Sequence, residues 1–253
     1  MKRTGQACLQ WTSLFRVFAR SLFIQTSWNF ERLQNLGFFY LILPGLRDIY
    51  GASLPSDVCE KHTSYFNTHP YMASLVAGCC LRMEAKVAVG EDLPVDVQTF
   101  KNMVIAPFAA MGDALFWGAI RPLAAVVSLF FASQGSLWAP VVFLVLFNAP
   151  HLLFRGGGLV LGYLQELRTI ETVQRWKLPD LAVRIKEITI VLLGVLSAYL
   201  VSIACEHQEI DTLWGSAILP VIFLYAWLAR RGASSILLVL LTTAGLLTLA
   251  FLF

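Results

Sequence analysis

Charged side chains are so sparse in this chain, and its apolar runs so long, that water alone cannot be its solvent. Residues 188–205, 214–229 and 236–253 are nearly uninterrupted apolar stretches, approaching the roughly 20 residues an α-helix needs to cross the hydrocarbon core of a bilayer. Only 14% of the 253 residues are charged and 57% are hydrophobic, against about 25% and roughly 45–50% in an ordinary soluble domain. The deficit of charge decides the class, because too few polar side chains remain to coat a water-facing surface. The pattern predicts an all-α integral membrane protein, with several transmembrane helices.

The amino-terminal part differs in kind. Trp11, Leu14, Phe15, Phe18 and Leu22 recur at helical spacing on one face, with Arg16 and Arg20 opposite. That predicts an amphipathic helix in the membrane interface, its aromatics among acyl chains and its arginines at phosphates. Residues 37–46 and 70–83 are apolar but too short to span, and each follows a polar cluster, 25–35 and 66–69. Short apolar segments beside polar clusters predict re-entrant or broken helices that meet at membrane depth, where freed backbone groups line a cavity. An exposed loop is expected over 87–101. The apolar stretch 103–132 is interrupted at Gly112-Asp113 and Arg121-Pro122, and 137–154 is broken by Asn148, Pro150 and His151. Gly156, Gly157 and Gly158 mark a hinge or a tight packing point. The expected division is a surface segment 1–24, a core membrane region 25–164, a polar segment 165–187 and transmembrane helices over 188–253. Arg168, Arg175, Lys177, Arg184 and Lys186, like Arg230 and Arg231 further on, place their loops on the cytoplasmic side. The basic amino terminus falls on that side too, and Phe253 on the other.

Several function classes drop out. The net charge of +3 is dispersed, with no basic stripe for nucleic acid. Cys8, Cys59, Cys79, Cys80 and Cys205 lack CxxC spacing and read as apolar fillers. His62, His69, His151 and His207 have no zinc-like spacing, so no metal or other cofactor is expected. No apolar h-region follows the basic first residues, so no cleavable signal peptide is expected. No nucleophile elbow, P-loop or HExxH is present, and no catalytic residue is assigned.

Three polar clusters remain. In the first, a helix over 25–35 would put Gln25, Asn29 and Arg32 on one stripe and Glu31, Gln34 and Asn35 on another. Trp28 would offer a platform for the apolar face of a pyranose ring. Such residues either bind sugar hydroxyls or face water on an interfacial helix. In the second, Pro70 turns the chain at His69 and leaves backbone groups free beside Asn67 and Thr68. The same residues also serve to start the following helix. In the third, Asp113 in an apolar helix costs roughly 2.5–3.5 kcal/mol. It needs a partner, and Arg121 is two turns away. Either the two form a structural ion pair or Asp113 meets substrate.

The run Ser27-Trp28-Asn29-Phe30-Glu31-Arg32-Leu33-Gln34-Asn35-Leu36-Gly37-Phe38 resembles the signature near the start of IID membrane subunits of mannose/fructose/sorbose-family phosphotransferase systems. So do Phe66-Asn67-Thr68-His69-Pro70 and Gly112-Asp113-Ala114-Leu115-Phe116-Trp117-Gly118 with Arg121-Pro122. Gly135-Ser136, Leu146-Phe147-Asn148 and Gly162-Tyr163 follow in the same order. The chain departs from the pattern at Ala114, where proline is usual, and at Ala109 and Ala110, where glycines are usual. The resemblance implies a multi-pass subunit of the bacterial inner membrane that joins a IIC subunit to carry a hexose. Separate IIA and IIB phosphocarriers would relay phosphate from phosphoenolpyruvate, with no phosphorylated residue on this chain. Trp28, Asn29, Glu31, Gln34, Asn67, Thr68, His69 and Asp113 are the candidate substrate-binding residues. The alternative within the resemblance is a non-transporting scaffold or regulatory relative that stabilises IIC.

Overall fold

A computed structural model describes residues 9–209, 211–216 and 218–252. The basic first residues and Cys8 lie outside them. The chain divides into two compact units, Met1–Leu193 and Gly194–Phe253. Among the described residues there are helices, turns and two isolated β-bridges, and no β-strand.

Helix α1 (Trp11–Ser21) buries Leu14 and Val17 and leaves Trp11 and Phe15 exposed. Its apolar side is therefore divided between the protein core and the surroundings. Arg20 donates to the Tyr40 carbonyl at 3.0 Å and lies 4.4 Å from the centre of its ring, while Arg16 stays exposed. Helices α2 (Asn35–Tyr50) and α4 (Ala73–Ala88) have 16 residues each. At about 1.5 Å rise per residue each covers about 24 Å, short of a full crossing. The short α3 (Ser56–Thr63) lies between them in sequence. Helix α4 is buried on nearly every side over its first nine residues, Ala73 to Leu81, and forms the centre of this unit.

The interruptions seen in the sequence do not break the long helices. α5 (Val97–Gly112), a π-helical stretch (Asp113–Ile120) and α6 (Arg121–Ser133) run on as one rod over Val97–Ser133. The Gly112-Asp113 and Arg121-Pro122 pairs bracket the wider turns. Pro122 falls at the second position of α6, where losing one backbone N–H is absorbed by the change of register. Asp96 starts the rod by accepting from the Gln98 and Thr99 amides, both at 3.0 Å, as an N-cap does. Likewise α7 (Ala139–Gln165) passes through Asn148, Pro150 and His151 without a break. Of the three glycines, Gly158 packs on Leu75, whereas Gly156 and Gly157 leave room. Closer still, a Cβ on Gly162 would sit 2.3 Å from the Leu75 carbonyl oxygen, and one on Gly78 would sit 2.2 Å from that of Leu159. α4 and α7 thus touch backbone to backbone, the small-residue packing that membranes favour. Lys86 and Glu166, 2.6 Å apart, tie their carboxy-terminal ends together.

After α8 (Arg168–Arg175), helix α9 (Leu178–His207) continues into the second unit. That unit holds α10 (Thr212–Gly215), α11 (Ile218–Arg230) and α12 (Ser235–Leu252). Thr242 on α12 bonds the Tyr225 hydroxyl on α11 at 2.7 Å. Three helical stretches, Val97–Ser133, Ala139–Gln165 and Arg168–His207 (the last made of α8 and α9), are long and apolar enough to cross a membrane. The cysteines Cys59, Cys79, Cys80 and Cys205 are free thiols.

A buried ionic node braces the first unit. The fully buried Glu84 carboxylate accepts from Tyr50 Oη at 2.6 Å, Lys61 Nζ at 2.9 Å and His62 Nε2 at 2.9 Å. Burial alone would raise its pKa, but the hydrogen bonds from His62, Tyr50 and Lys61 outweigh that and hold it at about 2. Lys101 of α5 reaches the Lys61 carbonyl at 2.7 Å and Ser64 Oγ at 3.1 Å. Together α4 and α5 grip α3 at its carboxy-terminal end, where the second polar cluster begins.

Candidate functional site

The first polar cluster is not a helix. After a 3₁₀ turn (Ile24–Thr26), residues 27–34 fold into a turn closed by paired bonds between Asn29 and Leu33, at 3.1 and 3.0 Å. Leu33 takes a positive φ of 54°, and Asn29 Oδ1 accepts from the Arg32 amide at 2.7 Å. The helical stripes expected from spacing therefore do not exist. The side chains' own backbone bonds compete successfully with helix formation here, as asparagine allows. A Cβ on Gly37 would stand 2.0 Å from the Ile24 carbonyl oxygen, so only glycine lets α2 start this close to the turn.

The second cluster packs directly on the first. The Gln34 amide donates to the Phe66 carbonyl at 2.8 Å, and the Phe66 amide donates to that of Arg32 at 3.3 Å. Phe38 and Phe66 stack with ring centres 3.9 Å apart. Asn29 Nδ2 donates to Asn35 Oδ1 at 2.7 Å, Asn35 Nδ2 to the Thr63 carbonyl at 2.6 Å, and the Thr68 amide to Gln34 Oε1 at 3.2 Å. Thr68 Oγ1 donates to the Ile105 carbonyl at 3.2 Å. Of the sequence candidates, Gln34, Thr68 and His69 are buried, Asn29 and Asn67 half-buried, and Trp28 and Glu31 exposed. Glu31 leans toward Arg32, at 3.5 Å.

His69 joins this pair of segments to the third cluster. The Tyr71 amide can only donate, and it lies 3.3 Å from His69 Nδ1, so the ring proton sits on Nε2. His69 Nε2 is buried without a hydrogen-bond partner among the described residues. It points toward Asp113 Oδ1 at 4.0 Å, and the Asp113 side chain is 55% exposed. Asp113 makes no ion pair with Arg121 among the described residues; His69 Nε2 approaches it instead, at 4.0 Å. A Cβ on Gly112 would meet His69 Cβ at 2.3 Å. Glycine here allows the imidazole to lie against the start of the π-helical stretch.

An aromatic box surrounds the imidazole. Phe116 stacks on it at 5.2 Å, with Tyr71 and Trp117 edge-on at 4.7 and 4.9 Å. Tyr71 in turn stacks on His151 at 4.3 Å, and the Arg155 guanidinium lies 4.9 Å from its ring centre. Tyr71, His151 and Arg155 were not among the sequence candidates. Ionisable residues at i and i+4 in an apolar helix are a signal that would have found the last two.

These polar motifs occur in chain order and converge in one place. Residues 9–253 match the family described as the PTS system mannose/fructose/sorbose family IID component. The chain belongs to this family. Among curated IID relatives, the fructose permease IID component of Bacillus subtilis (strain 168) is 26% identical, over 89% of this chain and 90% of that protein. The mannose-specific EIID component of Escherichia coli (strain K12) is 36% identical, over 58% of this chain and 53% of that protein. The chain thus aligns with about half of that mannose relative. The sorbose-specific EIID component of Lacticaseibacillus casei is 33% identical over 62% of this chain and 57% of that protein. A solved membrane protein superposes with a TM-score of 0.74 at 25% identity, covering 96% of this chain and 97% of that one. A chain from the cryo-EM structure of the mannose transporter ManYZ with microcin E492 gives 0.60 at 26% identity, with the same coverage. This IID protein is therefore an all-α membrane component of a phosphotransferase sugar-transport system.

Proposed function

We propose that this chain pairs with a IIC subunit in the bacterial inner membrane and lines, with it, the path of a neutral hexose. IIA and IIB phosphocarriers phosphorylate the sugar as it reaches the cytoplasm. The 165–187 segment and the Arg230-Arg231 pair face that side. The observation that carries this reading is the unpartnered His69 Nε2–H beside the exposed Asp113 carboxylate. A sugar hydroxyl both donates and accepts, and here a buried donor and a carboxylate acceptor stand 4.0 Å apart. One hydroxyl oxygen can meet both once a shift of the surrounding side chains uncovers Nε2, which is closed to solvent in this arrangement. Trp28 and Glu31 are exposed and Asn67 half-buried, and in this reading they reach other hydroxyls or the IIC surface.

A second reading, that the subunit stabilises IIC without touching sugar, has one observation in its favour. The amides of Asn29, Gln34 and Thr68 and the hydroxyl of Thr68 already bond within the chain. In our reading these residues shape the site, and His69 and Asp113 contact the hexose. Uptake by cells expressing the chain with its IIC partner separates the two. Asp113→Asn and His69→Gln should lower hexose affinity while the complex still co-purifies. Loss of the complex with unchanged affinity of what remains favours the scaffold, and unchanged uptake in both variants rejects the site.

A further inference from the structure

Arg155 is buried to 4% exposure, yet it has no carboxylate partner among the described residues and its Nε has no hydrogen-bond partner. A buried cation without a counter-ion is costly, so apolar packing alone does not account for it. Its guanidinium makes two contacts. It donates through Nη1 to the carbonyl of Ser21, the last residue of α1, where a cation complements the helix dipole. It also lies 4.9 Å from the centre of the Tyr71 ring, a cation–π contact that is strong when desolvated. Tyr71 holds His69 twice, through the backbone amide that occupies Nδ1 and through an edge-on ring contact at 4.7 Å. His151, one turn before Arg155 on α7, stacks on the same tyrosine at 4.3 Å.

We infer that Arg155 is a positioning residue for sugar recognition, acting through Tyr71 to keep the His69 Nε2–H aimed at the substrate position and anchoring that arrangement to the end of α1. The inference rests on the hexose reading of the His69–Asp113 pair. Arg155 itself need not touch sugar. Its planar guanidinium meets a carbonyl and an aromatic face together, which a lysine ammonium does less well. Removing it frees Tyr71 to shift and leaves the α1 terminus uncapped.

The test is hexose uptake by the chain with its IIC partner, with KM and Vmax normalised to inserted complex. Arg155→Met should raise KM about tenfold with Vmax per complex little changed, an effect between those of an exposed and a fully desolvated cation–π contact. Arg155→Lys should recover part of the loss, because the cation over the Tyr71 ring is kept while the planar fork is not. Tyr71→Leu should raise KM, and adding it to Arg155→Met should raise KM little further. Additive effects of the two, or an Arg155→Met complex of normal KM and lower abundance, would overturn the positioning role. His69→Gln serves as the control: if it leaves KM unchanged, the underlying site reading fails instead.

Discussion

Replacing Glu84 by glutamine keeps the side-chain shape and removes the charge from a node that the first unit is built around. In the native protein its carboxylate accepts three hydrogen bonds of 2.6–2.9 Å, from Tyr50, Lys61 and His62. A fall in pKa from 4.5 to about 2 corresponds to ~3 kcal/mol of stabilisation. Breaking a buried ion pair from one side costs about 3–5 kcal/mol. Lys61 is 23% exposed and can partly rehydrate, which puts the expected loss near the lower end. The sign of the pH dependence follows from the depressed pKa. The stabilisation is complete above pH 4.5 and is lost as pH falls toward about 2. Thermal unfolding of the detergent-solubilised protein from pH 7 to pH 3 reads this directly. Glu84→Gln should lower Tm at pH 7 by roughly 6–12 °C, at about 2–4 °C per kcal/mol, and the gap should narrow below pH 4.5. A wild-type Tm in the variant at pH 7, or a gap that does not change with pH, would refute the reasoning.

Gly162→Val should destabilise the fold by about 3 kcal/mol or more, since no side-chain rotation relieves a Cβ placed against a backbone oxygen. A collapse of folded yield in detergent checks it, with Gly157→Ala, in open space, as the harmless comparison. Gly112→Ala should displace His69 and cut hexose uptake severalfold while the chain stays inserted; normal uptake would show that the imidazole's placement does not matter. Asp96→Ala should cost about 1 kcal/mol of helix stability through loss of the N-cap, measurable as a small drop in Tm without change in KM.

Much of the architecture was legible because lipid imposes simple rules. Low charge and long apolar runs required helices, and the short lengths of 37–46 and 70–83 foretold helices shorter than a full crossing. The polar clusters were found as well, since asparagine, histidine and aspartate are conspicuous in an apolar chain. What the sequence hid was local geometry. Residues 27–34 look helical by spacing, but Asn29 diverts the backbone into a turn that no periodicity reveals. Gly112-Asp113 and Pro150 read as breaks, yet a π-helical register and the tolerance of helices for proline in packed surroundings carry the chain through them. Asp113 was matched to Arg121 along the sequence, whereas its neighbour in space is His69, brought there by a glycine that leaves no Cβ in the way. Arg155 and Tyr71 meet across more than eighty residues of chain, which spacing cannot show.

A sugar-bound structure of the IIC–IID complex is the most direct trial of the idea that these converging residues meet the hexose. It should show a sugar hydroxyl within hydrogen-bonding distance of both His69 Nε2 and the Asp113 carboxylate. Sugar density held only by the partner subunit, with His69 Nε2 still unpartnered and out of reach, would contradict it.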